Sequence, residues 1–141
     1  MYLPVDTDEL VITQRFHARN HKGVDLRSVN LETYDKLDII LPEDAEVLRR
    51  GVDAFGNDFL VVQPANDFMS ELKFIHVTFD SLFEVGEMLE AGTVLGKTQI
   101  VDEIGRGNSL AHHLHFETWR KGTPINPVRY FDEYHTPYRL K

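Results

Sequence analysis

The sequence predicts a strand-rich single domain, a sandwich or partly open barrel, on three observations. The chain has 141 residues, which suits one domain around one substantial core. Its apolar runs are short, recur often, are rich in Val, Ile and Phe, and are bounded by turn residues. Only one stretch approaches a helical period. Apolar content of 42% and charged content of 27% are ordinary for a globular domain.

In chain order, VIT at 11–13, LDIIL at 37–41, AEVLRR at 45–50, FLVVQ at 59–63, LKFIHVTF at 72–79, TVLGKTQIV at 93–101 and HHLHFETW at 112–119 read as strands. DAFGND at 53–58 and GRGNS at 105–109 read as turns or surface loops. SLFEVGEMLEAG at 81–92 partly fits a helix through apolar positions 82, 83, 85, 88 and 89. Gly86 weakens that reading, and a short turn with an irregular loop fits as well. The tail from residue 123 carries Pro124, Pro127 and Pro137 and is expected to wrap the surface irregularly.

Composition narrows the chemistry. Fifteen basic and twenty-three acidic residues give a net charge of −8, and no basic stripe stands out, so nucleic acid is not an expected partner. There are no cysteines, which excludes disulfides, thiolate metal sites and a cysteine nucleophile. No G-x-S-x-G elbow is present. No run is long enough to cross a bilayer as a helix, so membrane insertion is not expected. MYLPVDTDEL lacks a basic segment followed by an apolar run, so it does not read as a signal peptide.

The seven histidines are the chemical resource. In HHLHFE, strand alternation places His113, His115 and Glu117 on one face and turns Leu114 and Phe116 into a core. Two imidazoles side by side on a strand serve a metal well, although a solvent-facing polar strand explains the string equally. HKGVD supplies His21 and Asp25, with Gly23 permitting a tight turn that lets them converge. Alone, that pair reads as a loop salt bridge. It gains meaning only if HHLHFE lies beside it. His76 falls in an alternating run, with Phe74, His76 and Thr78 on one face and Lys73, Ile75, Val77 and Phe79 on the other. A hydrogen-bonded histidine at a sheet margin is its plain reading; a donor or base near a metal-activated water is the functional one. Two His and one Asp would suit catalytic zinc, leaving a fourth position open.

These motifs, in this order, resemble those of the lysostaphin-like, or LytM-like, zinc metalloendopeptidases. RFHARNHKGVDL at 15–26 is similar to that family's aromatic, loop and H-x-G-x-D pattern, and HLHFE at 113–117 to its late pattern. FIHV at 74–77, FEVGEMLEAG at 83–92 and TVLG at 93–96 correspond to the intervening segments. GTPINP, from Gly122 to Pro127, corresponds to the terminal G-x-P-x-N-P. The resemblance covers about residues 11–131 of a domain taken as 1–141.

The resemblance implies a small antiparallel β-sheet domain with an active-site groove and one zinc ion as cofactor. It assigns the metal to His21, Asp25 and His115 and catalytic roles to His76 and His113. It further implies peptide bonds of bacterial peptidoglycan as substrate. Without a signal segment, action at the cell wall calls for a carrier domain, delivery by a phage tail or release on lysis. Alternative readings are a catalytically inactive wall-binding or regulatory domain and a structural part of a phage particle. The chain departs from the family at Ala45, often glycine, at Val77, often leucine, and at 109–113, which reads SLAHH where S-T-G-P-H is common. RSVNLETYDK at 27–36 is longer and more polar than the usual connection and is expected to form a wall or lid of the groove.

Overall fold

The computed structural model describes residues 2–7, 10–28, 37–100, 112–128, 130 and 138–140. Among these, twelve strands run in chain order: β1 (Leu10–Gln14), β2 (Val24–Ser28), β3 (Asp38–Ile40), β4 (Ala45–Val52), β5 (Asp58–Pro64), β6 (Ser70–Ile75), β7 (Val77–Phe79), β8 (Met88–Leu89), β9 (Val94–Ile100), β10 (His112–Arg120), β11 (Thr123–Ile125) and β12 (Tyr138–Leu140). The long sheet has the order β12-β1-β2-β10-β6-β5-β4-β8. A smaller sheet has β9 paired with β3 and β7, and the start of β10 pairs with β9. All pairings are antiparallel except β1 with β12.

The core lies between the two sheets. The long sheet contributes Leu26, Leu114, Phe116, Leu72, Phe74, Leu60, Val62 and Val47, and the smaller one Ile39, Val77 and Leu95. Alternation along each strand produces this division: Leu60 and Val62 enter the core while Phe59 and Gln63 stay partly exposed on the other face. The DAFGND segment closes the β4–β5 hairpin as its composition predicts. The Asp53 carboxylate accepts from the Phe55 and Asn57 amides at 2.8 and 3.0 Å, and Gly56 supplies φ 83°.

Four expectations are corrected. The run 72–79 is not one strand: His76 adopts φ 67°, ending β6 in the long sheet and starting β7 in the small one. The break resets the alternation, so Phe74 and Val77, expected on opposite faces, both enter the core. Of the two readings for 81–92 the helix falls, while the turn with an irregular loop holds apart from the short strand Met88–Leu89. Gly86, at φ 91°, instead donates its amide to the Val47 carbonyl at 2.8 Å, and Met88–Leu89 pairs with β4. Asp25 stands on a regular strand, β2, rather than in a turn. The tail from residue 123 is not wholly irregular, since β11 pairs with β10 and β12 with β1. The wall or lid expected at 27–36 lies, beyond the end of β2, outside the described residues.

Gly96, in the middle strand of the small sheet, lies directly against the backbone of β7. A Cβ built there would sit 2.1 Å from the Thr78 carbonyl oxygen and 2.8 Å from the Phe79 Cα, both backbone atoms. Gly96→Ala is therefore expected to destabilise the protein by about 2–3 kcal/mol, the scale of forced overpacking. Chemical denaturation measures it, and a midpoint equal to wild type would mean that β7 and β9 separate at no cost.

Candidate metal centre and active site

β10 is the backbone of the site. Leu114 and Phe116 are fully buried in the core. Burying side chains of this size stabilises by ~1.5–3 kcal/mol each, so a one-residue slip that exposed them is strongly opposed. The opposite face then has to carry His113, His115, Glu117 and Trp119. On one side β2 brings Asp25 into register with His115, while Val24 and Leu26 enter the core. On the other side Ile75 of β6 registers with His115.

His21 arrives from a tight turn. The His17 and His21 backbones exchange hydrogen bonds of 2.7 and 2.8 Å, and His17 Nδ1 accepts from the Arg19 and Asn20 amides. His17 thus has a structural part in the turn. Gly23 is needed here for close approach, since its φ is not left-handed. A Cβ on it would lie 2.4 Å from the Phe116 carbonyl oxygen and 2.9 Å from the Glu117 Cγ. That corrects the sequence argument, which gave Gly23 a conformational role.

Asp25 is the hub. Its Oδ1 lies 2.8 Å from His115 Nδ1 and 3.2 Å from His21 Nε2, and its Oδ2 lies 3.9 Å from His113 Nε2. Burial alone would raise the Asp25 pKa, but hydrogen bonds from His115 and His21 outweigh it and hold the carboxyl far below its ordinary range. Burial opposes charge on His115 as well; the Asp25 and Glu117 hydrogen bonds override it and raise its pKa to about 9. His21 is also raised, burial being outweighed by the Asp25 carboxylate and the Arg15 carbonyl.

His76 stands across the site, with ring centroids 5.4 Å from His113 and 6.1 Å from His115. Burial, then the neighbouring His113 and His115, lower its pKa to about 4, so it is neutral at neutral pH. Its Nδ1 is buried and has no hydrogen-bond partner among the described residues. A buried orphan N–H costs more than an idle lone pair. The proton of neutral His76 therefore belongs on Nε2. Its left-handed backbone costs ~1–3 kcal/mol for a non-glycine residue, and such strain gathers at functional positions.

All five residues named from sequence converge here, His21, Asp25 and His115 as a close trio and His113 and His76 beside it. The side chain of His112 and the whole of His135 lie outside the described residues. Two contributors had no role assigned from sequence. Glu117 Oε2 contacts His115 Nε2 at 2.8 Å, and Trp119 Nε1 donates to Glu117 Oε1 at 2.6 Å. The alternation that groups 113 with 115 reaches 117 and 119 as well, and is the signal that could have found them.

The trio suits a zinc ion. One donor atom from each residue lies within 4.8 Å of the others, and the donors are two imidazoles and a carboxylate, groups zinc favours. Engagement of the far ring nitrogens also fits. His21 Nδ1 lies 2.9 Å from the Arg15 carbonyl, and His115 Nε2 contacts Glu117, which leaves His21 Nε2 and His115 Nδ1 for a metal.

No family model matches the sequence, and no curated sequence does. Solved structures do match. The catalytic domain of the antimicrobial peptidase lysostaphin from Staphylococcus simulans is similar with TM-score 0.59 and 18% identity, over 86% of this chain and 88% of that one. A zinc-containing peptidase from Vibrio cholerae is similar with TM-score 0.58 and 16% identity, over 82% of this chain and 35% of that one. A chain of the complex of SpoIIIAH and SpoIIQ is similar with TM-score 0.67 and 19% identity, over 92% and 98%. This chain spans about a third of the length of several matched proteins. The antiparallel β fold is that of the lysostaphin-like peptidases.

Proposed function

We propose that this protein is a zinc-dependent endopeptidase that hydrolyses peptide bonds of bacterial peptidoglycan. The observation that carries the reading is the convergence of one donor atom each from His21, Asp25 and His115 within 4.8 Å, with the His76 and His113 rings alongside. The likeness to peptidases, one of them zinc-containing, supports it.

His21, Asp25 and His115 would hold the ion, with Asp25 offsetting half of its charge. When bound, zinc supplies a Lewis acid for the scissile carbonyl and acidifies water. His113, 3.9 Å from Asp25 Oδ2, would contact the attacking water or the developing tetrahedral centre. Neutral His76 is suited to donate a hydrogen bond from Nε2 as negative charge develops. Away from the trio, Ile75 registers with His115 and Phe59 with Ile75, a row that can carry an extended peptide across the sheet.

Purified peptidoglycan incubated with the zinc-loaded protein is expected to release new amino groups without new reducing sugar ends. Product masses identify the bond. Reducing ends without peptide cleavage would sink the proposal. A second reading is a binding or regulatory domain, favoured by the match to a chain of the SpoIIIAH–SpoIIQ complex. Tight wall binding without cleavage, across several pH values and wall chemistries, would select it.

A further inference from the structure

The site face of β10 continues past the histidines as a connected chain of polar groups. Glu117 is buried at 6% exposure, yet it faces two donors at once. Oε2 accepts from His115 Nε2 at 2.8 Å and Oε1 accepts from the Trp119 indole at 2.6 Å. The Trp119 ring in turn lies under Lys22, whose Nζ is 5.6 Å from the ring centroid. Lys22 is the residue after His21, so both ligand-bearing elements meet this chain. Gly23 allows the contact, because any Cβ there would press on Glu117 Cγ.

We propose that Glu117 and Trp119 are positioning residues: a brace that holds His115 with Nε2 protonated and Nδ1 presented to the metal, and that is tied through Lys22 to the turn carrying His21. The inference rests on the zinc reading given above. Its physical content is an orientation argument. An imidazole bound to metal through one nitrogen can rotate or change tautomer unless the other nitrogen is engaged. A carboxylate suits this position because it accepts through two oxygens. The indole occupies one and aims the other, so the carboxylate cannot swing away from His115. Glu117 touches no reacting atom in this scheme.

The carboxylate logic makes a substitution test possible. Glu117→Gln keeps size and removes one acceptor, so the amide nitrogen must face either the His115 N–H or the Trp119 N–H. Zinc affinity, measured by competition with a chelator, is expected to fall about 10-fold to 100-fold. Trp119→Phe keeps the ring and removes the donor, and is expected to cost about 10-fold or less, because the carboxylate keeps its contact with His115. In the double variant the single Gln oxygen is free for His115. The double variant should therefore bind zinc better than Glu117→Gln alone, a reversal that general destabilisation cannot produce. Circular dichroism and thermal melts check that each variant is folded.

A spectroscopic readout needs neither activity nor metal. The chain has one tryptophan, so its indole N–H signal is unambiguous. In the metal-free protein that signal is expected to be slow to exchange with solvent and to become fast in Glu117→Gln. In the zinc-loaded protein, long-range 15N spectra should place the His115 proton on Nε2. Zinc binding by wild type with unchanged affinity in all three variants would overturn the brace and leave the metal site standing. A double variant weaker than Glu117→Gln would also overturn it. Absence of zinc binding by wild type itself would overturn the metal reading and the brace with it.

Discussion

His115→Ala, Asp25→Ala and His21→Ala are each expected to lose zinc by more than the ~10–100-fold seen when only a residue supporting a ligand is removed. Each removes one of three donors, and a two-donor remnant holds the ion poorly. Asp25→Ala should be the most severe. Among the described residues its carboxylate is the negative group within 4 Å of His21, His115 and His113 alike, and without it only Glu117, on the far nitrogen of His115, is left to offset the charge of the cation. The sheet should survive, because the core residues flanking these positions, Val24, Leu26, Leu114 and Phe116, are untouched. Zinc content by mass spectrometry, with circular dichroism on the same preparations, reads the result. Full zinc occupancy in any of the three would remove that residue from the ligand set.

The second large effect separates use of the metal from possession of it. His113→Ala and His76→Asn should keep most zinc and remain folded while peptide cleavage falls ~100-fold or more, the scale of lost proton transfer or transition-state hydrogen bonding. Asparagine is the better replacement at 76 because His76 occupies φ 67°, which asparagine adopts more readily than alanine. A loss of activity in His76→Asn then reports the imidazole and not a collapsed β6–β7 junction. His17 offers a comparison: it braces the turn that carries His21, so His17→Ala should weaken zinc modestly and affect cleavage only in proportion. Equal zinc loss in His113, His76 and the trio would mean that the division of roles is wrong. Undiminished cleavage after either substitution would remove that histidine from the chemistry.

Strand alternation made much of this site legible. HHLHFETW reads as polar on one face and apolar on the other, and the structure keeps that division: Leu114 and Phe116 are fully buried, and His113, His115 and Glu117 share the other side. The reason is that β10 is a long, regular, central strand, where the pleat alone decides facing. The same rule failed at 72–79 because it assumes an unbroken strand. A single left-handed residue at His76 restarts the phase, and no local feature of KFIHVTF announces it. It failed differently for β2, β11 and β12. β2 and β12 are short elements that pair with β10 and β1 across most of the chain, and VDLRS next to a glycine looks like a turn until β1 and β10 flank it. β11 is a local hairpin with β10 across Lys121 and Gly122, which a reading based on the prolines of the tail passes over.

The sequence by itself determined the donor inventory: seven histidines, no cysteine, and an order of motifs that resembles one peptidase family across most of the chain. It also determined which residues of β10 can face a common site, because that follows from a period of two. Only the tertiary structure decided that His21 and Asp25 lie against His115, ninety residues from Asp25, since cross-strand register depends on how β2 and β10 bury their apolar faces together. Only it gave Gly23 its reason, a backbone contact with Phe116 that leaves no space for a Cβ. And only it turned Glu117 and Trp119 from members of an alternating pattern into a hydrogen-bonded brace. Alternation specifies a direction, while a hydrogen bond needs a distance, and distances are set by packing.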